Sequence, residues 1–152
     1  MLIPSEQFPL YARYVKLEII DYGGDAAILR AGVESFDTGT SCPCLEPLVK
    51  NPSNTQRTYS SEYYSGTFSG MLDDTTENGG GYTGWMPRSL GAFMIMDLQE
   101  LDYVYGIITQ GGYKVSMDNP DRWCTKVIVS ISLDGDESVS YTHLTLPTIC
   151  SV

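Results

Sequence analysis

Basic side chains are what this chain has least of. Lysine and arginine number 9 against 19 aspartates and glutamates, a formal net charge of −10. A nucleic-acid partner needs a cationic face to neutralise its phosphates, so this balance argues against one. It also weighs against simple electrostatic docking to anionic lipid. Histidine occurs once, at His143, which leaves little to serve as general base for a serine or cysteine nucleophile. No apolar run approaches the roughly 18 residues that a membrane-spanning helix needs. No amphipathic helical stretch stands out, whereas glycine (15) and tyrosine (11) are abundant, and an all-β class follows. With 152 residues the chain is long enough to bury a real core. Cysteine is sparse as well. Cys42 and Cys44 are too close for an unstrained bridge, and a Cys-x-Cys without histidine or a second pair is poor evidence for zinc. Cys124 reads as a buried thiol rather than a metal ligand.

What is present is a set of short, turn-separated apolar runs. Phe93–Leu98, Tyr103–Thr109 and Val127–Leu133 read as three antiparallel strands. In the last, Val127, Val129 and Ile131 alternate with Ile128, Ser130 and Ser132. Gly111-Gly112 and the Asp118-Asn119-Pro120-Asp121 stretch mark a long loop between the second and third runs. Near the amino end, Val15, Leu17 and Ile19 alternate with Tyr14, Lys16 and Glu18, and a turn at Gly23-Gly24 leads into Ala27–Glu34. The carboxyl end differs from the rest. Val139–Thr148 reads VSYTHLTLPT, the translation of GTC TCT TAT ACA CAT CTG ACG CTG CCG ACG, which resembles a transposase adapter used in preparing sequencing libraries. Residues 139–152, with His143 and Cys150, are therefore set aside from functional reasoning.

The order Asp97-Leu98, Thr109-Gln110-Gly111, Trp123 with Thr125, and Ser132 with Asp134-Gly135 resembles the discoidin domain, also called the coagulation factor V/VIII C-type domain. The resemblance covers roughly residues 44–137. Cys44 and Leu48 stand at its opening, Ser60-Ser61 at an early double serine, Met71-Leu72 where many members have Ala-Arg-Leu, and Gly84-Trp85-Met86-Pro87 at an Ala-Trp-Cys-Pro element. Ala12–Ile19 and Ala27–Glu34 resemble that family's closing strands. The resemblance implies the tail of one domain (1–36), a linker (37–43), a truncated second domain (44–138) and the adapter-like tail (139–152). The expected fold is a discoidin-type antiparallel β-sandwich, a jelly-roll-like barrel. It lacks its own closing strands, and the amino-terminal strands are expected to complete it in cis. Contacts of Val15 or Leu17 with the strands at 93–108 would mark that completion. Within the family the opening cysteine pairs with one just past the final strand, which leaves Cys44 without that partner. Trp85, Trp123, Arg13 and Arg30 fall on framework positions.

The resemblance also implies function. Discoidin domains are binding modules, not catalysts, and meet ligands on three loops at one end of the sandwich. The first loop would hold Glu62, Tyr63, Tyr64 and Phe68. The second holds Arg88, and the third holds Tyr113, Lys114, Val115, Met117 and Asp118. The expectation is an extracellular recognition or cell-adhesion module for glycans or for cell-surface and matrix proteins. The alternative is a peripheral membrane module whose aromatic tips meet phospholipid headgroups. A non-binding spacer within a longer adhesion protein is a third reading. Asp73, Asp74 and Glu77 supply hard oxygens on a loop, so a calcium ion is one reading of them and solvated loop charges the other. Read instead as a paired-carboxylate hydrolase site they carry little weight.

Overall fold

Residues 12–19 show most directly how sequence dictates the sheet. Val15, Leu17 and Ile19 are fully buried, while Tyr14, Lys16 and Glu18 between them stay partly exposed, as a two-residue period requires. The computed structural model describes residues 10–36, 48–64, 69–77, 80–113, 122–135 and 139–145, and only the backbone of Leu10, Phe36 and 139–145. Among the described residues there are seven strands: β1 (Leu10–Gly24), β2 (Arg30–Phe36), β3 (Leu48–Lys50), β4 (Arg57–Tyr59), β5 (Phe93–Gln110), β6 (Arg122–Ser132) and β7 (Val139–Thr145). A single 3-10 turn at Asn54–Gln56 precedes β4, and no α-helix occurs among the described residues. The fold is all-β, and every described pairing is antiparallel.

The strands follow one another as β3-β2-β5-β1-β6-β7, with β4 lying beside β5. β1 thus occupies the place between β5 and β6. Val15 pairs with Met96 on one side and Ile131 on the other, and Leu17 pairs with Met94 and Val129. All six are buried on one face and belong to a single core cluster. Each such side chain is worth about 1.5–3 kcal/mol of burial, so the amino-terminal strand is a central part of the core. The contacts of Val15 and Leu17 with the strands at 93–108 that a completion in cis calls for are therefore present. The jelly-roll-like barrel is not. Closure requires the two edge strands to bond to each other, but three-residue β3 pairs with β2 alone and β7 with β6 alone among the described residues. The adapter-like segment 139–145 is thus the backbone of one edge strand.

The two apolar runs at 93–98 and 103–109 are one strand rather than two. No glycine or proline lies between them to reverse the chain. Instead Gln99 takes a φ of 70°, and the register jumps from Tyr14↔Asp97 to Ala12↔Asp102. This is a bulge that bends β5. Asp97 holds it, accepting the Gln99 amide at 2.8 Å and the fork of Arg13 at 2.9 and 3.1 Å. The Arg13 hydrogen bond, outweighing the effect of burial, keeps the Asp97 carboxyl below the usual carboxylate range. Beyond the bulge, β5 pairs with β2, and Val33 meets Ile107.

Trp85 fills the centre of the core and is completely buried, as its framework position implied. Cys124 belongs to the same core cluster and is 5% exposed, with its thiol 3.6 Å from the Ile28 carbonyl. Burial pushes that thiol up to about 12. Reaction needs the thiolate, so native protein treated with iodoacetamide at pH 8 is expected to leave Cys124 unmodified by peptide mapping. In denaturant it should be fully alkylated. Ready labelling of Cys124 without denaturant would contradict this placement.

Candidate functional site

The site begins from two serines. Past the end of β4, the Ser60 amide donates to the Phe93 carbonyl at 2.9 Å, and its hydroxyl accepts the Phe93 amide at 2.8 Å. The Ser61 carbonyl accepts the indole N–H of Trp85 at 2.9 Å, so this loop is anchored to the best-buried ring in the molecule. The Tyr63 amide then donates to the Met86 carbonyl at 2.9 Å. These anchors fix where Tyr63 and Tyr64 leave the sheet.

The facing wall is residues 80–90. Leu29 and Trp85 exchange backbone hydrogen bonds of 2.9 and 3.1 Å. Gly84, before Trp85, has a φ of 92°, and a Cβ there would lie 2.7 Å from Ile28. Only glycine suits that position. A third wall comes from the β1–β2 turn and the start of β6, which the register Gly24↔Arg122 brings together.

These walls enclose a cleft of about 370 Å³ lined by Tyr22, Tyr63, Tyr64, Tyr82, Arg88 and Arg122. Its side chains form a continuous row. The Arg122 guanidinium sits 4.3 Å above the Tyr82 ring. Tyr82 lies nearly parallel to Tyr64, at 5.9 Å and 16°, and Tyr64 meets Tyr63 edge to face at 4.9 Å and 73°. Tyr63, at the open end, is 56% exposed. Tyr64 and Tyr82 pack with Ile28 and Met86 in a small apolar cluster, so the row is backed by core. Gly80 lets Tyr64 lie close, since a Cβ there would come within 2.5 Å of the ring.

The charges of the cleft differ in how they are held. Arg122 faces Asp25 at 3.6 Å, but the Asp25 side chain is 82% exposed, and such a pair is worth at most about 1 kcal/mol. Arg88 donates through Nε to the Glu62 carbonyl at 2.7 Å. Its two Nη groups have no hydrogen-bond partner among the described residues.

The structure brings Tyr63, Tyr64 and Arg88 together in the cleft lining, which does not include Tyr113. The Tyr113 backbone is held by Thr83, with Thr83 N donating to Tyr113 O at 3.0 Å, away from the cleft lining. Phe68, Lys114, Val115, Met117 and Asp118 lie outside the described residues. Tyr22, Asp25, Tyr82 and Arg122 also line the cleft and were not singled out from sequence; Met86, read there only as part of the Gly84-Trp85-Met86-Pro87 element, lines it too. Tyrosines beside Gly23-Gly24 and Gly79-Gly80-Gly81 were the available signal.

The Thr109-Gln110-Gly111 element is scaffold. Arg30, buried, donates from Nε and Nη2 to the Gly111 carbonyl at 2.9 and 2.6 Å, and from Nη1 to the Asp74 carbonyl at 3.1 Å. Gln110 and Asp73 bond reciprocally, Asp73 N to Oε1 at 2.9 Å and Nε2 to Oδ1 at 2.7 Å. Asp74 Oδ1 accepts the Thr76 amide at 2.8 Å, and Glu77 is exposed. The three proposed calcium ligands therefore have separate placements, and among the described residues no three acidic, histidine or cysteine side chains converge. No protein-family model, curated protein or solved structure matches this chain.

Proposed function

We propose that the chain is a discoidin-type, non-catalytic recognition module of an extracellular adhesion protein, binding a glycan or a cell-surface protein in the tyrosine-lined cleft. The observation that carries this reading is the aromatic row Tyr82–Tyr64–Tyr63. It is backed by core at one end and open to solvent at the other. Rigid aromatic faces offer large contact area at low entropic cost, which suits them to sugar faces and to partner side chains. Tyr63 and Tyr64 fall on the first of the loops that the family resemblance marks as ligand loops, and Arg88 on the second, whereas Tyr82 lies outside them. The alternative reading, a lipid-binding module, draws on the same exposed Tyr63 but is opposed by the net charge of −10.

A glycan array together with immobilised matrix proteins tests it. Wild-type protein is expected to bind at least one ligand, and Tyr63→Ala to weaken that binding by about 10- to 30-fold, in the range of an interface hot spot. Tyr63 is 56% exposed, so circular dichroism and thermal midpoint should barely change. Silent arrays combined with salt-sensitive pelleting on phosphatidylserine vesicles would replace this reading with the lipid one.

A further inference from the structure

The cleft runs against the charge of the chain. The protein carries a net charge of −10, yet the charged residues lining the cleft are two arginines and one aspartate. The aspartate, Asp25, is 82% exposed and stands 3.6 Å from Arg122, too loosely held to neutralise it. The two guanidinium groups are otherwise posed rather than spent. The Arg122 guanidinium is held over the Tyr82 ring, 4.3 Å from its centroid. Arg88 is tethered through Nε alone, at 2.7 Å to the Glu62 carbonyl, and both Nη groups lack a partner among the described residues. A tethered guanidinium with a free pair of donors is a fork for a planar oxyanion, and carboxylate is the best geometric match. The neighbouring surfaces are tyrosine faces and edges, which suit the C–H faces of a pyranose.

We infer that the cleft selects an acidic sugar, a pyranose bearing a carboxylate. The ring lies against the Tyr63–Tyr64–Tyr82 row, and the carboxylate is received by Arg88 with Arg122 beside it. This deepens the recognition reading above and rests on it. A sugar is favoured over an anionic lipid surface because the positive charge is confined to a concave cleft of about 370 Å³. The protein around it is acidic and would be repelled by a charged bilayer.

Glucuronic acid and glucose differ only in carboxylate against hydroxymethyl at C6, so their comparison by saturation-transfer NMR and calorimetry isolates the inference. Glucuronate is expected to bind at least about tenfold more tightly than glucose, the equivalent of one charge-assisted hydrogen bond. The preference should shrink with added salt. It should vanish in Arg88→Gln, whose side chain is exposed and whose loss should leave the thermal midpoint unchanged. Arg122→Lys, keeping the charge but losing the fork, should keep only part of it. Equal binding of both sugars, lost in Tyr63→Ala, would overturn the acidic preference while leaving glycan recognition standing. Binding of neither sugar would overturn the acidic-sugar inference, while the array of glycans and matrix proteins decides the recognition reading separately. Binding to phosphatidylserine vesicles or to inorganic phosphate in place of glucuronate would overturn the inference in favour of a phosphate-bearing ligand.

Discussion

Replacing Arg57 by methionine is expected to destabilise the fold by about 3 kcal/mol. Arg57 opens β4 and is 7% exposed, with no carboxylate among its hydrogen-bond partners. Its guanidinium instead collects the Pro52 carbonyl through Nε at 2.8 Å and the Ala31 carbonyl through Nη2 at 2.8 Å. It also reaches Asn51 Oδ1 at 3.0 Å and the Met94 sulfur at 3.4 Å. The side chain therefore fastens β4 to β2, whereas the strand ladder among the described residues pairs β4 with β5 alone. Methionine fills similar volume but leaves the Ala31 and Pro52 carbonyls buried and unpaired, at about 1–3 kcal/mol each, partly offset by no longer burying a cation. Burial pulls the Arg57 pKa down to about 10, still far above neutral. Folded and unfolded chains both carry its proton between pH 5 and 9, so the loss should not vary across that window. Arg57→Lys should lose about 2 kcal/mol, because a compact ammonium cannot span acceptors arranged around a planar fork. Urea titrations of the three proteins measure these differences. A methionine variant within about 0.5 kcal/mol of wild type would show that the buried fork is not structural.

Much of this architecture is legible along the chain, and the exceptions share one cause. The alternation at Val15, Leu17 and Ile19 and at Val127, Val129 and Ile131 is local, so the inner faces of β1 and β6 can be read directly. Trp85 and Cys124 as core, and Arg13 and Arg30 as framework, follow from position within a recognisable order of residues. The single bent strand β5 is not legible, because its bulge is held by Asp97 and Arg13, 84 residues apart. A local pattern of two apolar runs flanking polar residues looks the same whether the chain turns back or merely bulges. The cleft behaves likewise. Tyr63, Tyr64 and Arg88 were visible through resemblance, whereas Arg122 joins them only because β1 and β6 are in the register Gly24↔Arg122. The pairs Thr109-Gln110-Gly111 with Arg30 and Asp73 illustrate the converse, in that a conspicuous motif proves to be scaffold. Fold depends on periodicity that short stretches display; sites depend on register between distant stretches, which they do not.

Lys50→Met is expected to cost about 3 kcal/mol, and the cost should come from what it leaves behind rather than from the lysine itself. Lys50 ends β3, the shortest edge of the sheet, and its ammonium donates to Asp102 Oδ2 at 2.5 Å and Glu100 Oε1 at 2.7 Å on β5. The partners are unequal: the Asp102 side chain is 6% exposed and that of Glu100 71%. Glu100 can return to water. Asp102 cannot, and a buried carboxylate deprived of its cation costs about 3–5 kcal/mol; Lys50 itself is 25% exposed, which places the value at the lower end. Asp102→Leu alone should cost only about 1 kcal/mol, since Lys50 keeps Glu100 and some solvent. The double variant, Lys50→Met with Asp102→Leu, replaces the pair by apolar groups and should recover most of the loss, giving a coupling energy of about 2 kcal/mol or more. The pH dependence has a definite sign. Burial, the largest single influence, lowers the Lys50 pKa, but the hydrogen bonds to Asp102 and Glu100 together outweigh it and hold the group above its ordinary value of 10.5. A base whose pKa is raised on folding stabilises the folded state fully below the unfolded value and loses that contribution as pH rises past it. Wild-type stability should therefore fall above pH 10.5 by an amount the methionine variant does not share. Additive costs in the double variant, with no recovery, would mean that β3 is held by its backbone pairing to β2 and not by this buried ion pair.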